Sequence, residues 1–186
     1  MTLGDGSITT AFVSGVGVAD WRAELASYRQ LVASGWTPKT VHRRFADADQ
    51  SPSAGQCGVT SAWLMAVLRY RHSVPAVYCY GDVRAVRESA EDLLDHCWLE
   101  IGDEHDPDRT VVDLTCDQAA AFADDKVLCS SHRSIRSVYG MSYDAALRRE
   151  PAELEDDEVQ DRLGMLVREL GPDQLPVVPP RLRRFF

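Results

Sequence analysis

The sequence predicts an α+β fold in which N-terminal helices, one of them headed by a cysteine, pack on a small antiparallel sheet. Three observations carry this. Apolar residues recur at helical spacing over 21–32 and again over 58–71. Runs rich in β-branched and aromatic residues cover 73–81, 96–101 and 110–115. The last two runs are joined by a short acidic turn, Gly102 to Arg109, which makes them an antiparallel hairpin.

The bulk numbers agree with one domain over 1–186, closed by a Pro-rich tail at 172–186. Hydrophobic content is 45% and charged content 26%, as in a soluble globular chain. A net charge of −9 argues against nucleic-acid binding. No apolar run is long enough to span a bilayer and no secretory signal is visible, so no membrane partner and a cytoplasmic location are expected. The five cysteines form no C-x-x-C pair, and their odd number argues against a disulfide framework. Without C-x-x-C, G-x-G-x-x-G or P-loop patterns, neither a metal nor a cofactor is expected.

In chain order, residues 1 to 18 are a short strand or a loose arm. Asp20 is the expected N-cap of a helix whose buried face is Trp21, Leu25, Tyr28, Leu31 and Val32, and which ends at Gly35. Pro38 starts a short helix over Lys39 to Asp47. A polar loop, Asp49 to Gly55, leads into the helix Gly58 to Arg71. Ser73 to Gly81 is the first strand, and Asp82 to Asp95 a connecting segment or short helix. His96 to Ile101 is the second strand, with His96, Trp98 and Glu100 on one face and Cys97, Leu99 and Ile101 on the other. Thr110 to Thr115 is the third, with Val111, Asp113 and Thr115 sharing a face. Asp117 to Ala123 reads as helical, Cys129 to Tyr143 as a loop, and Ala152 to Leu170 as an acidic amphipathic helix ended by Gly171.

Chemistry concentrates at Cys57. It stands between glycines at the start of a helix, where unpaired N–H groups and the helix dipole favour a thiolate. A lone cysteine is more often an inert core residue, so the reading depends on a base and an orienting group. His96 is the candidate base because it opens a well-formed strand; His42, His72, His105 and His132 are expected at the surface. Asp113 is the candidate orienter, since a carboxylate in an apolar strand needs a partner. The competing role for Asp113 is to end an edge strand and cap the next helix. Asp95 and Glu100 are alternative orienters.

Gly55-Gln56-Cys57-Gly58 followed by Ser61-Ala62-Trp63 resembles the nucleophile segment of papain-type proteases. Asp95 to Glu100 and Val112 to Gln118 are similar to the histidine and D-L-T-x-x-Q segments of small bacterial members of the papain-like and transglutaminase-like thiol enzymes. The resemblance covers about residues 50 to 118. It departs from the papain pattern where Gly58, not tryptophan, follows the cysteine, and in the short step from Cys57 to His96.

The resemblance implies a papain-like fold and covalent acyl chemistry. Cys57 would be the nucleophile, His96 the base and then acid, and Asp113 its orienter, with Gln50, Gln56 or Gly58 as oxyanion candidates. The acyl donor would be a small molecule or carrier-protein thioester and the acceptor an amine, with similarity to the condensing enzymes of lincosamide antibiotic assembly. Peptidase or amidase action is the alternative, and an inert binding module the third. The basic-aromatic end, Arg181 to Phe186, would dock an acidic carrier or simply pack on the domain.

Overall fold

The computed structural model describes residues 18–45, 51–86, 91–154, 157–171 and 174. The arm 1–17, Gln50 and the basic-aromatic tail lie outside the described residues. Four helices, α1 Val18–Ser34, α2 Cys57–His72, α3 His132–Val138 and α4 Asp157–Leu170, accompany five strands. These are β1 Val77–Ala85, β2 Leu93–Ile101, β3 Thr110–Asp113, β4 Leu128–Ser131 and β5 Met141–Arg149. They form one antiparallel sheet in the order β4-β3-β2-β1-β5.

Both sheet faces are covered. On one face α1, α2 and α4 bury a core that includes Leu25, Val32, Trp63, Leu68, Leu99, Val112, Leu163 and Leu166. Trp98, Val111, Phe122, Leu128, Ile135, Met141 and Tyr143 build a second core on the other face. The alternation expected along 96–101 is seen, with Cys97, Leu99 and Ile101 in the first core and Trp98 in the second. With both faces covered, β2 is buried at every position from His96 to Ile101.

α1 buries the predicted face, although it begins at Val18, two residues ahead of Asp20. Its end at Gly35 is enforced by packing: a Cβ there would fall 2.8 Å from Leu166 and Leu170 of α4. α4 buries Leu163 and Leu166 beneath an acidic outer face, and Gly171 at φ 91 closes it.

Several local expectations are corrected. Only Arg43–Phe45 is helical in the described part of 39–47, and only as one 3-10 turn. The first strand starts at Val77, after Ser73 caps α2 at φ 57, and runs on to Ala85. Arg84 and Ala85, read as connector, therefore pair with Ser142 and Met141 of β5. The stretch 129–143 is not a loop: it holds β4, α3 and the start of β5. Asp117 to Ala123 forms two 3-10 turns, Cys116–Gln118 and Ala120–Phe122. These elements are short or lie under tertiary contacts that periodicity does not report.

The sheet is irregular beside His96. Register slips between β1 and β2 where Gly81 faces His96, and between β1 and β5 at the same glycine. A Cβ on Gly81 would meet the Asp144 carbonyl at 2.2 Å, so only glycine fits. Asp95 takes up the extra residue at φ 57, a conformation that aspartate tolerates better than most residues. Such bulges re-aim the side chain that follows, here His96.

Candidate functional site

Cys57 is the first residue of α2, and no side chain caps that helix. Its free N–H groups and dipole are left to act on the sulfur. The sulfur faces a cleft of about 590 Å³ lined also by Gly58, Tyr78, Tyr80, Cys97 and Arg162. Ser61, one turn along the helix, donates to the Cys97 carbonyl at 3.1 Å and pins α2 to β2 beside His96.

His96 is fully buried. Its Nε2 donates to Asp113 Oδ2 at 2.7 Å, and its ring stacks parallel to Trp98 at 6.3 Å. The Asp113 carboxylate accepts three more hydrogen bonds: Thr115 N at 2.7 Å and Thr115 Oγ1 at 2.9 Å on Oδ1, and the Tyr143 hydroxyl at 2.9 Å on Oδ2. Every oxygen of this buried carboxylate is thus satisfied. The Nδ1 of His96 makes no hydrogen bond among the described residues, while the ring and the Cys57 sulfur stabilise each other's charged forms.

The electrostatics follow from these partners. A hydrogen bond from Cys97 is the largest cause holding the Cys57 thiol well below its ordinary range; burial opposes it and His96 reinforces it. Burial alone would lower the His96 pKa, but the Asp113 charge and hydrogen bond, aided by Cys57, push it up to about 10. Burial likewise works against the Asp113 carboxylate, and His96 with the surrounding donors still keeps it below its usual range. The Cys57 and His96 shifts both act in the direction of a thiolate beside an imidazolium. By contrast, burial pushes the thiols of Cys79, Cys116 and Cys129 up.

Cys97, assigned from the sequence to the core, takes a further part. Its thiol accepts from the Tyr78 hydroxyl at 2.9 Å, and its nearness to Cys57 raises its own pKa while lowering that of Cys57. The one sequence signal for it is its place next to His96. Tyr143 carried no such signal, because its strand falls partly in the stretch read as a loop.

The D-L-T-x-x-Q stretch buttresses the site. Gln118 Nε2 donates to the Ser53 carbonyl at 2.7 Å and so holds the loop that leads to Cys57. Arg29 of α1 bonds the Leu114 carbonyl, pairs with Asp117 at 2.9 Å and lies over the Trp36 ring at 4.3 Å. Trp36 in turn donates to Thr60 of α2 at 3.2 Å.

Neither alternative orienter touches His96. Asp95 accepts from the Tyr80 hydroxyl and from Arg44, each at 2.5 Å, on the rim of the cleft. Glu100 accepts from Trp98 Nε1 at 3.2 Å and from Arg109 and Arg148 at 3.0 and 3.1 Å. Of the oxyanion candidates, Gln56 precedes the sulfur and is buried, its Oε1 without a partner among the described residues. Gly58 packs under Tyr78, Val159 and Arg162, each 3.4 to 3.6 Å from where a Cβ would sit.

The other histidines are less exposed than expected. His132 is buried, His72 bonds the Tyr28 hydroxyl at 2.7 Å, and His42 sits on the cleft rim 3.3 Å from Glu158; His105 is exposed. Among the described residues no helix is long and apolar enough to cross a membrane. No protein-family model, curated protein or solved structure matches the chain, so the reading of this site rests on its own geometry.

Proposed function

We propose that this protein is a papain-like cysteine acyltransferase that works through a thioester on Cys57. One observation carries the reading: a cysteine at an uncapped helix tip opens into a cleft, and the histidine that shares its charge is held by a buried carboxylate at 2.7 Å.

The steps follow from the residues. The Cys57 thiolate attacks the acyl carbonyl, and the oxyanion is met by the Cys57 and Gly58 N–H groups. The bond to the leaving group breaks as the His96 N–H passes its proton to that group. Neutral His96 then takes a proton from an incoming amine as the amine attacks the thioester. An amide leaves, and the thiolate and imidazolium are restored. Asp113 keeps the ring oriented throughout. The donor is a small or carrier-protein-tethered acyl compound, the acceptor an amine, the setting antibiotic biosynthesis in the cytoplasm.

Brief iodoacetamide treatment followed by mass spectrometry tests the nucleophile. Cys57 should be labelled well before Cys79, Cys97, Cys116 and Cys129, and C57S should turn over no thioester. Equal, slow labelling of all five cysteines would leave only a binding module. Incubation with an acyl thioester and a panel of amines tests the transfer: new amides are expected, whereas free acid with every amine would make the protein a hydrolase.

A further inference from the structure

The cleft holds a buried cation with no ion pair among the described residues. Arg162 of α4 is 7% exposed and lines the cleft beside Cys57. Its Nε donates to the Glu158 carbonyl at 3.1 Å and its Nη1 to the Gly55 carbonyl at 3.3 Å, both of them backbone oxygens. It forms no ion pair among the described residues. The carboxylates of the cleft are engaged elsewhere: Asp95 with Arg44 and Tyr80, Glu158 with His42, and Glu153 with the backbone of Glu150. The second terminal nitrogen of Arg162 lies 3.5 Å from where a Gly58 Cβ would sit, over the first turn of α2. The guanidinium thus sits within contact distance of the Cys57 helix tip.

A buried cation normally has a counter-charge, and a guanidinium fits the two oxygens of a carboxylate or phosphate. Arg162 makes no hydrogen bond to the Cys57 sulfur among the described residues; its hydrogen bonds go to the two backbone carbonyls. The chain as a whole carries −9, so an anionic ligand needs local positive charge to enter. We propose that Arg162 recognises a carboxylate or phosphate on the acyl donor of Cys57, which makes anionic thioesters the substrate class. This rests on the acyl-transfer reading.

The test compares alkylation of Cys57 by iodoacetate, which carries a carboxylate, with alkylation by neutral iodoacetamide, each normalised to free glutathione. Both reagents need the thiolate, so their ratio is insensitive to any change in thiol pKa. The wild-type ratio should exceed that of glutathione by roughly tenfold, the worth of a charge-assisted hydrogen bond. R162K should keep much of this preference and R162M should lose it. If R162M does not fold, R162Q serves in its place. Two thioester pairs then locate the anion: succinyl against butyryl pantetheine for a carboxylate on the acyl group, and butyryl phosphopantetheine against butyryl pantetheine for a phosphate on the leaving thiol. The preferred pair should lose its preference through KM in R162M. A reactive Cys57 whose ratio equals that of glutathione, or a ratio unmoved in the Arg162 variants, overturns the assignment of Arg162. An unreactive Cys57 overturns the acyl-transfer reading itself.

Discussion

Asp113 and Glu100 are buried carboxylates on neighbouring strands, 1% and 3% exposed, and they do different things. Glu100 is held by the guanidinium groups of Arg109 and Arg148 and by the Trp98 indole. Asp113 is held by a histidine, a tyrosine and a threonine, of which the histidine is the acid–base group, its pKa pushed up to about 10. The first carboxylate is a strut. The second makes a ring's charge depend on its own, and that ring shares its charge with Cys57. What a buried acid contributes is decided by whether its partner titrates.

Exchange of the two acids' roles is the sharpest way to break this contrast. D113N should lower kcat/KM for thioester turnover by about 10² to 10⁴, the range for a disabled acid–base group, while keeping the fold. Steady-state kinetics beside a thermal melt would show it, and a variant with undiminished turnover would remove Asp113 from the site. E100Q should do the converse. It leaves two arginines facing a neutral amide and should cost about 3 kcal/mol in urea unfolding. The rate of Cys57 alkylation in the folded fraction should stay at the wild-type value; a fall in that rate would link Glu100 to the thiolate.

The pH dependence of stability separates the two acids further. His96 is raised from 6.5 to about 10, so its contribution is complete below about 6.5 and is lost as the pH climbs through 10. Asp113 is lowered from 3.8, so its contribution is present above that value and is lost as the pH falls through its folded pKa. In the wild type the Cys57 thiolate offsets the His96 proton. The comparison therefore belongs in a C57S background between pH 6 and 8, below the range in which the buried thiols titrate when unfolded. Urea midpoints should decline there in C57S and in C57S/E100Q, and flatten in C57S/D113N. A decline that survives D113N would show that Asp113 does not hold the ring's proton.

The smallest expected effect is at Tyr143. Y143F removes one hydrogen bond to Asp113 and should cost about 1 kcal/mol, with only a few-fold loss of turnover because His96 and Thr115 still hold the acid. A loss as large as that of D113N would give Tyr143 a part beyond support.

The site was legible to the extent that its residues sit in strongly patterned elements. Cys57 opens a helix with clear periodicity, and His96 and Asp113 lie in apolar strands where a polar residue stands out. The roles of Cys97, Tyr78 and Arg162 were not legible. Cys97 is a good core residue by type, Tyr78 a good strand former, and Arg162 an ordinary charge on an acidic helix; only their approach to one sulfur gives them meaning. The boundaries missed at 82–85 and 141–143 share a cause, since these residues are ordered by the pairing of β1 with β5, a strand whose own apolar signal is broken by Asp144 and the two arginines at its end, while 129–131 is ordered by pairing with β3.

What the sequence by itself determined was the alternation of apolar residues that makes two helix faces and a hairpin, because hydrophobic periodicity is local and survives without knowledge of neighbours. What only the tertiary structure decided was the pairing of charges: which acid met the histidine, which thiol lay beside Cys57, and which buried arginine met no acid among the described residues. Those choices depend on separations of a few ångströms between residues far apart in the chain, set by a bulge at Asp95 and by a glycine at position 81 that admits the Asp144 carbonyl. Coulomb and hydrogen-bond energies change steeply over such distances, and spacing along a sequence does not encode them.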